Sequence, residues 1–582
     1  MRPGESGYLR HQGVDLHLIK DIDGLMAMKR WASERRPVMG VDTETTGLSP
    51  ERDRIRLIQI GDQHTGWAIP WDDWAGGALE LISTYEGPIV LANSKFDIRH
   101  LAIERPGFEW PWHQTHDVLT MAHLVDPLRP KGLKSLASRL VDPQAVAGER
   151  ALNAGMKEHK WTWETVPIDF PPYWIYAALD PVLTCHVYDR LKPEVDELYH
   201  DPYDLEMAVT RIVSGMEELG MRVNPSYLTT KRTELLDYVK QAKEWLIDAY
   251  RLDRPTPLGL VKFFTEQGVP MLDKKTKSGN QAMDKEVLES IDHPVAEVVL
   301  KIRQAEKLVG TYLDNLLELR DEHDRVHPNF WTMGTRTGRM TIQNPALQTL
   351  PKRDVTVRSG FIPSEGYSII SFDADQIEAR LMAHFSGSQP MIDALTGEDD
   401  FFLTMASQVF GVPVTDKGDS RRQLMKGVTY GRLYGGQAET LAEVAGIEVS
   451  KMHEVLGAFD RAYPEIRRLM SSLGKDGWVR TPTGRRLAVD DGKEYTATNY
   501  LIQGHAAEIL KRNVVNLDAT LPDEVRLMLL VHDEIVMEAP TEMVPELMPL
   551  IKDTLDDFET YAVPITWGGE ATEISWGAML ED

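Results

Sequence analysis

The sequence predicts a multidomain chain, an α/β domain followed by an α+β body, on three observations. At 582 residues it exceeds one typical domain. Up to about residue 192 short apolar strand runs alternate with helical segments, the mark of an α/β unit. From about 326 to 582 strands mix with long helices, and the stretch between, about 204 to 320, is helical and charged. The expected division is 1–200, 201–325 (mostly helical) and 326–582.

In the first segment, Pro37–Val41, Ile55–Ile60 and Pro88–Ala92 read as strands. The middle segment carries a basic turn, Lys274-Lys275-Thr276-Lys277. In the last, Tyr367–Phe372 reads as a strand ending at Asp373. Arg421–Gly435 reads as a helix on which Arg422, Lys426, Tyr430 and Tyr434 recur every four residues and so share a face. Gly427, Val428 and Thr429 are poor helix formers, which favours a site constraint over a generic helix. Leu527–Val531 and Ile535–Met537 flank His532-Asp533-Glu534, a β-hairpin with a charged tip. Taken alone such a tip is a solvated turn; beside a metal its carboxylates become useful.

Apolar residues at 42% allow proper cores, and no run of 18 or more apolar residues spans a membrane. The opening residues lack the apolar segment of a signal peptide. Cys185 is the only cysteine, which excludes an internal disulfide and any multi-cysteine zinc site, so a cytoplasmic protein is expected. The net charge of −26 taken alone argues against nucleic acid. Bulk charge hides local patches, however, and carboxylates that hold cations invert the local sign.

Two constellations carry chemistry. Asp42 and Glu44 alternate along a strand and face one way. Asn93 and Asp97 follow the third strand, and Tyr176 and Asp180 lie one helical turn apart. Four carboxylates and a tyrosine suit two divalent cations and a positioned water, the arrangement for phosphodiester hydrolysis. In the C-terminal half, Asp373 and Asp533 lie far apart in sequence with a cationic, aromatic helix between them, a pattern for two-metal phosphoryl transfer.

The first set resembles the ribonuclease H-like proofreading 3′→5′ exonuclease domain over roughly residues 20–195, and the helix Lys131–Ala137 is similar as well. All four acids are present, which implies an active exonuclease. The second resembles the family A DNA polymerases of the bacterial DNA polymerase I type. Asp373–Arg380 is similar to their first palm motif, Arg422–Gly431 to the nucleotide-binding fingers helix and His532–Glu534 to the last palm motif. The resemblance implies a right hand of palm, thumb (201–325) and fingers (about 385–485).

It implies roles too. Asp373 and Asp533 would bind two Mg²⁺ ions with the Ala374 carbonyl as a further ligand, and two more would sit on Asp42, Glu44, Asp97 and Asp180, with Mn²⁺ able to substitute. Arg422 and Lys426 would hold the triphosphate of a deoxynucleotide, and Lys426 would protonate the leaving pyrophosphate. Tyr430 would pack on the incoming sugar and base, and Glu378 would exclude a ribose hydroxyl. Tyr434, Gln376 and His532 fall in the same motifs; Arg339, Gln348, Asn499 and Gln503 are similar to contacts of the primer–template, and Asn93 to an exonuclease-site residue. Three departures stand out: Asp375 replaces a small residue, Phe402 a histidine that commonly meets the triphosphate, and Ala374 a tyrosine.

A chain without room for a 5′-nuclease before residue 30, and without a long thumb insertion, most resembles a bacteriophage replicative enzyme, expected to act as a monomer with replisome partners left open. Three alternatives stand beside this reading. Loss of Asp373 or Asp533 would mark an inactive DNA-binding scaffold, and neither is lost. Glu378 and the complete exonuclease set weigh against a single-subunit RNA polymerase, and the palm and fingers motifs against a stand-alone exonuclease.

Overall fold

The computed structural model describes residues 7–11, 13–34, 36–350 and 354–580. The first six residues, read above for a leader, and the last two lie outside the described residues. The N-terminal unit is built on a seven-stranded mixed sheet in the order Tyr8–His11, Val14–Leu18, Thr65–Pro70, Ile55–Gly61, Met39–Thr45, Ile89–Leu91, Thr115–Asp117. The three expected strands stand fourth to sixth in that order. The other four were not read from sequence: three lie together on one side of the sheet, and Thr115–Asp117, at the opposite edge, is only three residues long, too short for a period to show.

One face of the sheet packs Ile58, Ile60 and Trp67 against helix Trp71–Thr84. Helix Pro171–Leu198 lies against the other face. Gly40 and Gly66 permit that approach, since a Cβ at either would collide with the backbone carbonyls of Pro181 and Ala178. The close contact brings Asp180 down onto the strand that carries Asp42 and Glu44.

The C-terminal body has a four-stranded antiparallel sheet in the order Arg526–Val531, Glu534–Pro540, Tyr367–Ala374, Trp567–Thr572. Its large core takes in Val209, Ile212, Val213 and Met216 from helix His200–Leu219, so this helix packs with the sheet although it opens the middle segment. A smaller core forms between helices Pro225–Tyr250, Pro257–Glu266 and Pro294–Lys307, around Leu246, Leu260, Phe264 and Val299. In the basic turn nearby, Lys274 is tied to Asp284 and Glu286 and does not stand free. Helices Phe401–Phe410, Ser420–Leu433, Ala438–Ala445 and Val449–Ala462 form a layer between the sheet strands in sequence. No helix among the described residues is long and apolar enough to cross a membrane.

Candidate active sites

The first site sits on the N-terminal sheet. Asp42 and Glu44 alternate along Met39–Thr45, and Asp180 meets them from helix Pro171–Leu198, so that oxygens of all three lie within 4.8 Å of one another. Asp97, on the first turn of helix Ser94–Glu104, accepts a hydrogen bond from the Thr43 hydroxyl at 2.6 Å and feels the Asp42 charge. Burial pushes the Asp42 carboxyl up to about 7 and holds Glu44 and Asp97 well above the usual carboxylate range.

Lys134 enters from helix Leu133–Leu140, pairs with Asp180 and lies 4.2 Å from the centre of the Tyr176 ring. Burial lowers its ammonium to about 8, against the pull of Asp42 and Glu44. In sequence this helix is marked only by its similarity, with no role for Lys134; only the fold shows where the helix lands. Tyr176, one turn before Asp180, has its phenol pushed up by burial and by Glu44. Converging buried oxygens that must otherwise take up protons are the donor set of a hard divalent cation. Asn93 starts the Asp97 helix in a left-handed conformation (φ 73°) and opens onto a neighbouring cleft of about 90 Å³, shared with Lys131 and Trp331.

The second site is built by the hairpin register. The two-residue loop His532-Asp533 joins Arg526–Val531 to Glu534–Pro540, with His532 at φ 56°. Asp373 pairs with Glu534 across the ladder, and the Ala374 N–H donates to the Asp533 carbonyl at 3.2 Å. Asp373 and Asp533 are therefore neighbours. Glu534, by contrast, is buried among Arg358 (3.1 Å), the Ser371 hydroxyl (2.6 Å) and Trp576 Nε1 (2.9 Å). That corrects the picture of a wholly solvated charged tip: Asp533 faces the site while Glu534 anchors the hairpin.

Asp375 is turned aside. The strand ends at Ala374, and the exposed Asp375 carboxylate accepts from the Thr566 hydroxyl at 2.9 Å. Gln376 follows, left-handed at φ 49°, and opens helix Ile377–Ser386. Glu378, 8% exposed, accepts from Arg339 and from the Tyr434 hydroxyl at 3.2 Å. The Tyr430 hydroxyl is pushed up to about 12, first by burial and then by the charges of Glu378, Tyr434 and Asp533. It is a protonated donor beside the carboxylates. Phe402, read above as replacing a histidine, is buried with its ring centre 6.0 Å from that of Tyr430 and forms an apolar wall there.

Arg422 forms a two-pronged pair with Asp400 at 2.7 and 3.0 Å, and Lys426 is exposed one turn further on. Gln503 reaches the Tyr434 hydroxyl. Asn499, one turn earlier on helix Ala497–Thr520, is buried with its amide nitrogen unpartnered within the chain. A cavity of about 190 Å³ joins Thr335, Arg339, Gln348, Lys511, His532 and Asp533. Gln348 is held there by donating to the Met340 carbonyl at 2.8 Å.

Comparison with known proteins agrees with this geometry. The family model described as DNA polymerase family A matches residues 228–577, and that of a 3′-5′ exonuclease matches residues 16–196. The DNA polymerase of Mycobacterium phage D29 is 30% identical, over 92% of this chain and 93% of its own length. That of Mycobacterium phage L5 is 27% identical, over 98% of this chain and 99% of the relative. DNA polymerase I of Chloroflexus aurantiacus is 28% identical, over 91% of this chain and 60% of its own. Among solved structures, the POL domain of Pol1 from M. smegmatis, in complex with DNA primer-template and dNTP, shares the fold at TM-score 0.80 and 24% identity, covering 96% of this chain and 99% of that one. The chain belongs to DNA polymerase family A and carries a 3′-5′ exonuclease domain ahead of its polymerase domain.

Proposed function

We propose that this DNA polymerase extends a primer 3′ end with deoxynucleotides at Asp373 and Asp533, and trims it from the 3′ end at Asp42, Glu44, Asp97 and Asp180. The observation that carries the first half is the hairpin register, which sets Asp533 beside Asp373 while the Tyr430 hydroxyl feels the charge of Asp533. The cluster of Asp42, Glu44 and Asp180 oxygens within 4.8 Å supports the second. When Mg²⁺ binds such carboxylates it activates a hydroxyl or water for attack and neutralises charge on the phosphate oxygens. Mn²⁺ suits the same oxygen ligands.

The chain's own groups do the rest. Asp373, Asp533 and the Ala374 carbonyl offer the oxygen ligands. Arg422 exchanges Asp400 for phosphate oxygens when a triphosphate arrives, a substitution that favours the more highly charged partner. Lys426, one turn along, faces the same phosphates and is placed to protonate pyrophosphate. Tyr430 closes over the sugar, with Phe402 as its wall. Glu378 occupies the space a ribose 2′-hydroxyl would need. Gln376, His532, Arg339, Gln348, Asn499 and Gln503 line the path of the primer–template; Tyr434 holds Glu378. In the exonuclease site Tyr176 and Lys134 orient the attacking water and the phosphate, and Asn93 meets the strand at the mouth.

We assign the exonuclease domain to 1–200, the thumb to 201–325 and palm plus fingers to 326–582, with helix His200–Leu219 packed as part of the palm body. The phage relatives support a replicative role; we place it in a bacterial or phage-infected host cytoplasm, with the chain acting as a monomer. The test is primer extension on a recessed DNA end with deoxy- or ribonucleotides. Extension by deoxynucleotides alone, with 3′ trimming when they are withheld, is expected; extension by ribonucleotides only, or none with active protein, overturns the reading.

A further inference from the structure

The turn Thr335–Arg339 belongs to the polymerase half, yet it is gripped from the exonuclease domain. His123 lies on helix Val118–Val125, which packs on helices Pro171–Leu198 and His200–Leu219. The side chain is 5% exposed, and Nε2 stands 3.0 Å from the Thr335 carbonyl oxygen. A carbonyl only accepts, so Nε2 carries the proton and donates. Burial, with Lys131, Arg485 and Lys511 nearby, holds the imidazole down at about 3, so this neutral donor persists across the working pH range.

Thr335 organises the turn. Its carbonyl also accepts from the Gly338 N–H at 3.1 Å, and its hydroxyl accepts from the Arg339 N–H at 3.1 Å. The opposite side of the turn is held by buried charge. Lys511 Nζ donates to the Gly338 carbonyl at 2.8 Å and to Glu206 at 2.5 Å. Arg485 pairs with Glu206 and Glu508 and covers Gly338 so closely that a Cβ there would meet its guanidinium. Arg339, leaving the turn, pairs with Glu378 and lines the cavity beside Asp533.

We propose that His123 is a positioning residue for polymerisation: its hydrogen bond to Thr335, from within the exonuclease domain, sets the Thr335–Arg339 turn and so aims Arg339 at Glu378 and the primer–template. The inference rests on the role given to Arg339 above. It makes helix Val118–Val125 of the exonuclease domain part of the polymerase site's scaffold.

The experiment compares His123→Leu and His123→Gln with the parent chain. Loss of one buried hydrogen bond should raise the KM for primer–template about threefold to tenfold in His123→Leu, with kcat and single-strand exonuclease rate within about twofold. His123→Gln keeps an N–H donor of similar reach and should restore the parent KM. On an Arg339→Ala background, His123→Leu should add little, because both act through one contact. An unchanged KM in His123→Leu, no rescue by His123→Gln, a parallel loss of exonuclease rate, or simple additivity with Arg339→Ala would each overturn the proposal. If His123→Leu does not fold, His123→Asn, folded but too short to reach Thr335, takes its place. A parent chain that extends no primer would instead sink the functional reading itself.

Discussion

The Tyr434 hydroxyl donates to the Glu378 carboxylate at 3.2 Å, which ties the end of helix Ser420–Leu433 to the first turn of helix Ile377–Ser386. Arg339 pairs with the same carboxylate. Helix Ser420–Leu433 and the helix that follows the Asp373 strand therefore share one buried acid. Glu378 holds its position through two donors, and a rigid wall discriminates better than a loose one.

Glu378→Ala removes that wall and leaves Arg339 and Tyr434 without their acceptor. The ratio of kcat/KM for deoxy- over ribonucleotides should fall roughly 10- to 100-fold, the range for a filled pocket that becomes open. An unchanged ratio would count against a steric role for Glu378.

The two sets of acids should separate cleanly by mutation. Asp373→Ala or Asp533→Ala should cut extension by about 10³-fold or more, several kcal/mol of lost charge stabilisation, and leave exonuclease activity on single-stranded DNA intact. Asp42→Ala with Glu44→Ala should do the reverse. Retained extension in either palm variant, or continued trimming of a mismatched primer end by the double variant, would refute the assignment.

Tyr430 places one hydroxyl, kept protonated up to about 12, beside Glu378 and Asp533. A dideoxynucleotide lacks the 3′-hydroxyl that satisfies nearby phosphate and carboxylate groups, and the Tyr430 O–H can stand in for it. The parent chain should accept dideoxynucleotides readily, and Tyr430→Phe should restore rejection, by up to roughly 10⁴-fold where a site is built around the missing group. The ratio of termination to extension, measured in the Asp42→Ala, Glu44→Ala background, decides it; a Phe variant that discriminates no better removes the hydroxyl from the account.

Metal removal should be felt as stability, with a definite sign. Asp42 is raised to about 7, and burial holds Glu44 and Asp97 well above the usual carboxylate range, against unfolded carboxyls near 4. The metal-free folded chain thus binds protons that the unfolded chain has released, and this contribution to stability is lost as pH rises from about 4 through about 7 and beyond. Cations replace those protons. The gap in Tm between Mg²⁺ and EDTA should be wide at about pH 8 and narrower at about pH 6. A gap independent of pH would show that these acids do not bind the cation as a protonated cluster.

Much of both sites was legible because local spacing sets where a side chain points on its own element. Asp42 and Glu44 two apart on a strand, Tyr176 and Asp180 four apart on a helix, and the Arg422–Tyr434 stripe follow from backbone geometry alone, and so does the hairpin around His532-Asp533. The candidate acids were readable on that basis, and the family and the exonuclease-then-polymerase order from the resemblance that those motifs carry.

What spacing cannot supply is which elements meet and where each ends. Asp373 and Asp375 would share a face had the strand run on; it stops at Ala374, and Thr566 captures Asp375. Asp533 and Glu534 are adjacent in sequence but fall on opposite sides of the hairpin's end, one toward the site and one onto Arg358 and Trp576. Lys134, Lys511 and His123 carried no local signal, because their partners Asp180, Glu206 and Thr335 are remote in sequence. Those pairings come from long-range packing, in which burial forces each charge or donor to find a partner, and the tertiary fold alone decides which partner is within reach.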